Sequence, residues 1–113
     1  MAQQAGSLSG QVEQGLAQLA GELPRTMSGF GRMHQAAMAD GELPTAIKEL
    51  IAIAISIATG CSGCIAYHTN HAIAAGATAE QVREAVGVAI VMGGGPATVY
   101  GAEALETLRA ATS

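Results

Sequence analysis

Four residues suited to thiol chemistry, proton transfer or metal binding lie within the stretch 58–71. They are Cys61, Cys64, His68 and His71, which include both cysteines of the chain and two of its three histidines. At about 100° per residue, a helix that begins near Cys61 places all four on one stripe. Three interpretations fit this stripe: a redox-active thiol pair, a metal site, or two small cysteines buried for packing alone.

The redox interpretation depends on spacing and on the start of the helix. Cys61 and Cys64 are three residues apart, which puts their Cα atoms about 5–6 Å from each other and within reach of a disulfide. The free N–H groups and the dipole at a helix N-terminus stabilise a thiolate. His68 lies one turn beyond Cys64 and can accept a thiol proton. This pattern predicts a reactive cysteine pair with His68 as its base.

The metal interpretation uses the same side chains. A CxxC motif with two histidines is typical of zinc sites, but Cys61 and His71 on one continuous helix are about 15 Å apart. One tetrahedral ion cannot gather all four, although Cys61, Cys64 and His68 could hold a metal weakly or share it between subunits. Covalent haem is excluded, because Ile65 stands where CxxCH requires histidine. We expect no metal and no cofactor, and His71 at a surface or interface.

Glu49 is the carboxylate that begins the most apolar segment of the chain. Composition alone leaves two placements open: it points to solvent beside Lys48, or it turns inward and is held by a partner. If it turns inward, His68 is the best candidate, since a carboxylate on the far imidazole nitrogen fixes the tautomer of the ring.

The segments that must position these residues show helical periodicity, and no stretch alternates with period two. Helix ends are indicated by Gly60, by Gly76 and by "GGGP" at 93–96, and "TAEQ" at 78–81 is a capping box. We expect the three glycines to let helices pass closely rather than to bind phosphate, since no lysine follows them. The predicted helices cover 11–21, 26–38, 44–59, 61–76, the residues after 78, and 96 to about 110.

The fold class that follows is all-α, with about six short helices in a single domain over residues 1–113 and residues 1–10 frayed. Met27, Phe30, His34 and Met38 are expected on one side of the second helix. The helix over 44–59 is apolar on nearly every face, which indicates burial in a core or between subunits. A partner for His34 is not evident.

Composition restricts the partners. Only 12% of the residues are charged, compared with about 25% in a typical domain, so we expect a homo-oligomer that buries part of its surface. The net charge of −4, with scattered basic residues, argues against nucleic acid. The longest apolar run, from Leu50, is short of the roughly 20 residues that cross a membrane. No signal peptide is visible, so we expect a cytoplasmic protein, where cysteines more often do chemistry than form structural bridges.

The segment "KELIAIAISIATGCSGCIAYHTNHAIAAGATAEQVREAV" resembles the core of the alkylhydroperoxidase AhpD-like family, within the carboxymuconolactone decarboxylase superfamily. The shared pattern is a glutamate, eleven residues, CxxC, three residues and a histidine: Glu49, Cys61, Cys64 and His68. The resemblance covers roughly residues 30–110. It implies an all-helical fold that assembles into trimers or hexamers, and the shortness of this chain favours the hexamer.

The resemblance also implies an antioxidant, peroxiredoxin-type activity: a thiol peroxidase or disulfide reductase. Cys64 would be the peroxidatic thiolate, Cys61, nearer to solvent, would resolve it into a disulfide, and Glu49 with His68 would form the proton relay. A dithiol such as a lipoyl group, or a redox partner protein, would reduce the disulfide. Well-studied members carry a histidine just before the second cysteine, and here that residue is Gly63.

Two alternatives stay open. One is a decarboxylase acting on a small lactone acid, as in the other branch of the superfamily. It would need a cationic pocket, but Arg32, Lys48 and Arg83 are too scattered in sequence to indicate one. The other is a redox- or metal-responsive binding module without turnover.

Overall fold

The structure, a computed structural model, describes residues 7–113 and contains six α-helices and no strand in that range. This confirms the predicted all-α class. The helices are α1 Leu8–Glu22, α2 Pro24–Met38, α3 Thr45–Thr59, α4 Ser62–Ala74, α5 Ala79–Gly93 and α6 Gly95–Thr112.

Helix starts follow local capping chemistry. Ser7 caps α1, because its hydroxyl accepts the N–H of Gly10 at 3.1 Å. Residues 8–10, expected to fray, are therefore helical, while residues 1–6 lie outside the described range. The predicted capping box of α5 is present, with reciprocal hydrogen bonds between Thr78 and Gln81.

Glycines end or separate the helices where the sequence indicated. Gly60 ends α3 with φ +74°, a left-handed conformation that side chains disfavour. Gly93 allows a close approach, since a Cβ there would lie 2.8 Å from the Cβ of Ala97 and 3.4 Å from the Cα of Ala58. Gly94 and Gly95 have no such neighbour, so the predicted close packing is confirmed at Gly93 alone.

The core forms around α3, which packs against α4, α5 and α6. Ile53 and Ile57 of α3 are completely buried, together with apolar side chains from each of those three helices. The opposite face of α3 carries Ile51 and Ile55, which are 45% and 58% exposed. The apolar residues of α3 thus form part of the core on one face and are exposed to solvent on the other.

The two N-terminal helices lie outside this core. Within the described range, α1 contacts α2 and α4, and α2 contacts α1 and α3. Helix α2 buries none of its residues, and Phe30, which was expected on a common side with His34, is 51% exposed. None of the helices in residues 7–113 has the length and hydropathy needed to cross a bilayer.

Candidate functional site

The two cysteines occupy the turn that joins α3 to α4. Gly60 reverses the chain after α3, and Cys61 is then the N-cap of α4 in an extended conformation. The N–H of Cys64 donates to Sγ of Cys61 at 3.2 Å. The pair forms a disulfide with the Cα atoms 5.2 Å apart, as the spacing predicted. The cysteines therefore lie at the positive end of the α4 dipole.

Glu49 turns inward and meets His68. The glutamate is 3% exposed and its Oε1 lies 2.7 Å from Nδ1 of His68, whose side chain is 20% exposed. Of the two placements left open by composition, the structure has the buried one. Burial of a carboxylate is costly unless it is paired and hydrogen-bonded, and His68 supplies that partner from the neighbouring helix.

This contact determines which imidazole nitrogen carries the proton. An ionised carboxylate can only accept a hydrogen bond, so Nδ1 of His68 must donate to Glu49. Nε2 is then the nitrogen with a free lone pair when the ring is neutral. His68 lies one helical turn after Cys64, so the residue that can take a thiol proton is held by a residue that can stabilise the resulting imidazolium.

Tyr67 lies beside the imidazole of His68, and no sequence motif indicated this position. Its ring meets His68 edge-on at 5.1 Å between centroids and stacks on His71 at 4.2 Å. Burial, followed by the negative charges of Glu49 and Glu13, raises the pKa of the Tyr67 phenol. Its position could have been inferred from the sequence, because a residue three positions after Cys64 lies on the cysteine side of α4.

His71 lies at the edge of the site, as expected for a surface residue. Its side chain is 40% exposed, and its Nε2 is 3.6 Å from Oε1 of Glu13 in α1. Among residues 7–113, no group of three or more His, Cys, Asp or Glu side chains is placed to hold a metal ion. His71 thus belongs to the contact between α1 and α4 rather than to the cysteine pair.

A cavity of about 510 Å³ lies between α1, α2 and Tyr67. Its walls are mostly apolar, with Leu16 from α1 and Phe30 from α2. His34 also lines it, and Nε2 of that ring is buried without a hydrogen-bond partner. The structure therefore places His34 near Tyr67 but not with Glu49 and His68.

Gly63, between the cysteines, is covered by α1. A Cβ at this position would lie 3.1 Å from Cγ2 of Val12, tighter than ordinary van der Waals contact. The space that a side chain at position 63 would use is thus taken by Val12. Nothing local in the sequence linked Val12 to the site; the available signal was the absence of a side chain at Gly63.

Fold and site together define a class: an all-helical protein with a CxxC disulfide at a helix start and a buried glutamate–histidine pair beside it. Comparison with known proteins gives the family. The sequence model of the carboxymuconolactone decarboxylase family matches residues 24–107, so the chain belongs to that family. The AhpD-like pattern is consistent with this membership.

Individual relatives extend the comparison. An uncharacterised protein of Cupriavidus necator is 45% identical over 82 residues, which are 73% of each chain. The crystal structure of the apo form of lpg0406, a carboxymuconolactone decarboxylase family protein from Legionella pneumophila, is similar with a TM-score of 0.89 and 40% identity, covering 94% of this chain and 95% of that one.

A second solved structure is more distant. It is a family protein from Thermotoga maritima for which a part in the antioxidative response has been suggested. The TM-score is 0.71 at 25% identity, with 84% of this chain and 87% of that chain covered.

Proposed function

We propose that this protein is a thiol-dependent oxidoreductase that reduces a peroxide through Cys61 and Cys64. The observation that carries the proposal is the hydrogen bond of 2.7 Å between buried Glu49 and Nδ1 of His68, one turn from Cys64. A histidine held in this tautomer, next to cysteines at a helix start, has the parts needed to form a thiolate.

The reaction has three balanced steps. The Cys64 thiol gives its proton to Nε2 of His68, and the thiolate attacks the O–O bond of ROOH, giving Cys64 sulfenic acid and, with that proton, ROH. The Cys61 thiol then displaces water from the sulfenic acid to form the disulfide. An external dithiol, a lipoyl group or a redox partner protein, restores both thiols and becomes a disulfide itself.

The roles of the two sulfurs follow from their positions. Cys64 is one turn from His68, whereas Sγ of Cys61 accepts the N–H of Cys64. We therefore assign proton transfer and attack to Cys64, and resolution to Cys61. Both cysteines are half-buried, so the assignment rests on the distance along α4 and not on a difference in exposure.

Reduced protein treated with one equivalent of hydrogen peroxide tests the proposal. We expect the loss of two thiols and, by mass, a Cys61–Cys64 bond. Cys64→Ser should abolish disulfide formation, and His68→Ala should slow it about 100-fold, as loss of a general base does. His34→Ala is the matched control, since His34 is a half-buried histidine without a contact to Glu49 or His68, and should oxidise at the wild-type rate.

A dimedone trap separates the cysteines. Cys61→Ser should yield a dimedone adduct on Cys64, the mark of a sulfenic acid that cannot be resolved. An equally rapid adduct on Cys61 in the Cys64→Ser variant would reverse the assignment. Unchanged thiols together with turnover of carboxymuconolactone would favour the decarboxylase alternative, and bound zinc that blocks oxidation would favour the metal-responsive module.

We also propose that the protein acts as a homo-oligomer, with a hexamer favoured over a trimer. Support comes from exposed apolar side chains on α3, α5 and α6, which together with a low charged fraction leave a surface suited to self-association. These side chains are 45–81% exposed: Ile51, Ile55, Val88, Val91, Met92 and Val99. Mass measurement by sedimentation, with Val91→Lys as the disrupting variant, tests this. A reducing cytoplasm would suit the chemistry.

A further inference from the structure

We infer that α1 is a cover for the Cys61–Cys64 disulfide and that Val12 selects among reductants by size. The inference rests on the proposed redox role of the cysteine pair. It goes beyond that role because it assigns control of access to a helix outside the family's Glu–CxxC–His pattern.

Helix α1 packs on α4, the helix that begins at the cysteine pair. Within the described residues, α1 packs against α2 and α4, and Leu8 and Ser9 at its start line a cavity together with residues of α6. Its contacts with α4 begin at Gly63, between the cysteines, and continue with Glu13 beside His71 at 3.6 Å. Leu16 and Tyr67 line the same cavity. The side of α1 that carries Val12, Glu13 and Leu16 therefore lies along the part of α4 that carries Gly63, Tyr67 and His71.

Val12 approaches the backbone of Gly63 closely. Cγ2 of Val12 lies 3.1 Å from where a Cβ of residue 63 would be, so the glycine is what allows α1 to approach. Gly63 is directly bonded to Cys64, so the methyl group of Val12 lies beside the backbone that carries the disulfide. On this inference, a small dithiol reaches the half-buried sulfurs with α1 in place, whereas a large one requires α1 to move away.

The packing of α1 on α4 is weak enough for the two helices to separate. Val12 is half-buried, while Glu13, Leu16 and most other residues of α1 are exposed, and the only buried residue of α1 is Ser9. The 3.6 Å Glu13–His71 contact joins two exposed side chains, a class of ion pair that contributes little. Helix α1 can therefore separate from α4 without disturbing the core around α3.

The test compares two dithiols on the oxidised protein without any peroxide. The small probe is dithiothreitol, and the large probe is a dihydrolipoyl group carried on a lipoyl domain. We expect Val12→Ala to raise the ratio of large-probe to small-probe rate constants about two- to tenfold, the range for loss of methyl groups from a packed contact. Leu19→Ala, a change of comparable size on an exposed part of α1, should leave the ratio unchanged.

A compensating pair tests the contact directly. Gly63→Ala places a methyl group against Val12, displaces α1 and should also raise the ratio. In the Gly63→Ala/Val12→Ala double variant the methyl groups move apart by about one C–C bond, ~1.5 Å, which restores ordinary contact. The ratio should return toward the wild-type value.

Equal rate ratios in wild type and Val12→Ala would overturn the inference, and so would the absence of reduction by the large probe in both. An equal rise of the ratio in Leu19→Ala would also overturn it. So would a ratio in the double variant that shows the two single-variant rises added together. The outcome is independent of the peroxide assay. A protein without peroxidase activity can still show the size selection, and a peroxidase can lack it.

Discussion

Residues 7–113 contain two glutamate–histidine contacts, which differ in distance and in burial. Glu49 and His68 join two core helices at 2.7 Å, with side-chain exposures of 4% and 20%. Glu13 and His71 join α1 to α4 at 3.6 Å, with exposures of 59% and 40%. The first contact is short and shielded from water, and the second is longer and lies at the surface.

The difference extends to the helices that carry these contacts. Helices α3 to α6 share one cluster of buried side chains, whereas α2 buries none of its residues. Catalytic groups need fixed geometry, and sites built on packed helices supply it. Access to a site needs an element of low local stability, which few buried contacts provide. In this molecule, the packed core helices supply fixed geometry, and the N-terminal helices, which bury few residues, supply low local stability.

The largest effect expected from this comparison is on stability. Ile53→Ala in α3 should lower the free energy of unfolding by about 2–5 kcal/mol, because Ile53 is completely buried. Met33→Ala in α2, where Met33 is 60% exposed, should change it by less than about 0.5 kcal/mol. Urea denaturation at matched protein concentration measures both. Comparable losses would show that α2 is packed as tightly as the core.

The next effect is on the rate of thiol oxidation. Glu49→Gln keeps the shape of the side chain but removes the charge that stabilises the imidazolium of His68, so peroxide-driven disulfide formation should slow at least about tenfold. Glu13→Gln makes the same change at the exposed contact and should alter the rate less than about twofold. Stopped-flow thiol counting compares the two. Similar rates in both variants would remove Glu49 from the relay.

The smallest effect is at alkaline pH and involves Tyr67, which lies between the two contacts. The pKa of Tyr67 is raised in the folded protein, first by burial and then by Glu49 and Glu13. A pKa that is raised in the folded state contributes stability that is present below the unfolded pKa, about 10 for tyrosine. This stability is lost as the pH rises through the folded pKa. Tyr67→Phe should flatten this part of the stability profile.

A second measurement separates the causes at Tyr67. Glu13→Gln removes one negative charge near the phenol, so a titration of phenolate absorbance should find the Tyr67 pKa lower than in wild type but still above the ordinary value. An unchanged titration would indicate that α1 does not stay close to Tyr67 in solution.

Much of the fold was predictable because its signals are local. Gly60, Gly76 and the capping box at Thr78 mark helix ends through backbone conformation and hydrogen bonds within a few residues. Helix limits were confirmed to within about three residues on this basis. The start of α1 was predicted less well. Ser7 caps the helix, so that it begins at Leu8, whereas residues 1–10 were expected to fray.

Part of the geometry of the candidate site was predictable as well. The stripe of Cys61, Cys64 and His68 follows from helical period, and the disulfide follows from a spacing of three. The position of Tyr67 on the same side of α4 could have been inferred from its spacing of three residues from Cys64. The cover provided by Val12 was not predictable, since it joins residues some fifty positions apart.

By itself, the sequence determined the helices, their ends and the set of residues on the cysteine side of α4, because these depend on interactions between near neighbours along the chain. Only the tertiary structure decided that Glu49 turns inward to His68 and that Val12 closes over Gly63. Both outcomes depend on how helices pack, and packing balances the burial of a charge or a methyl group against partners that are distant in sequence.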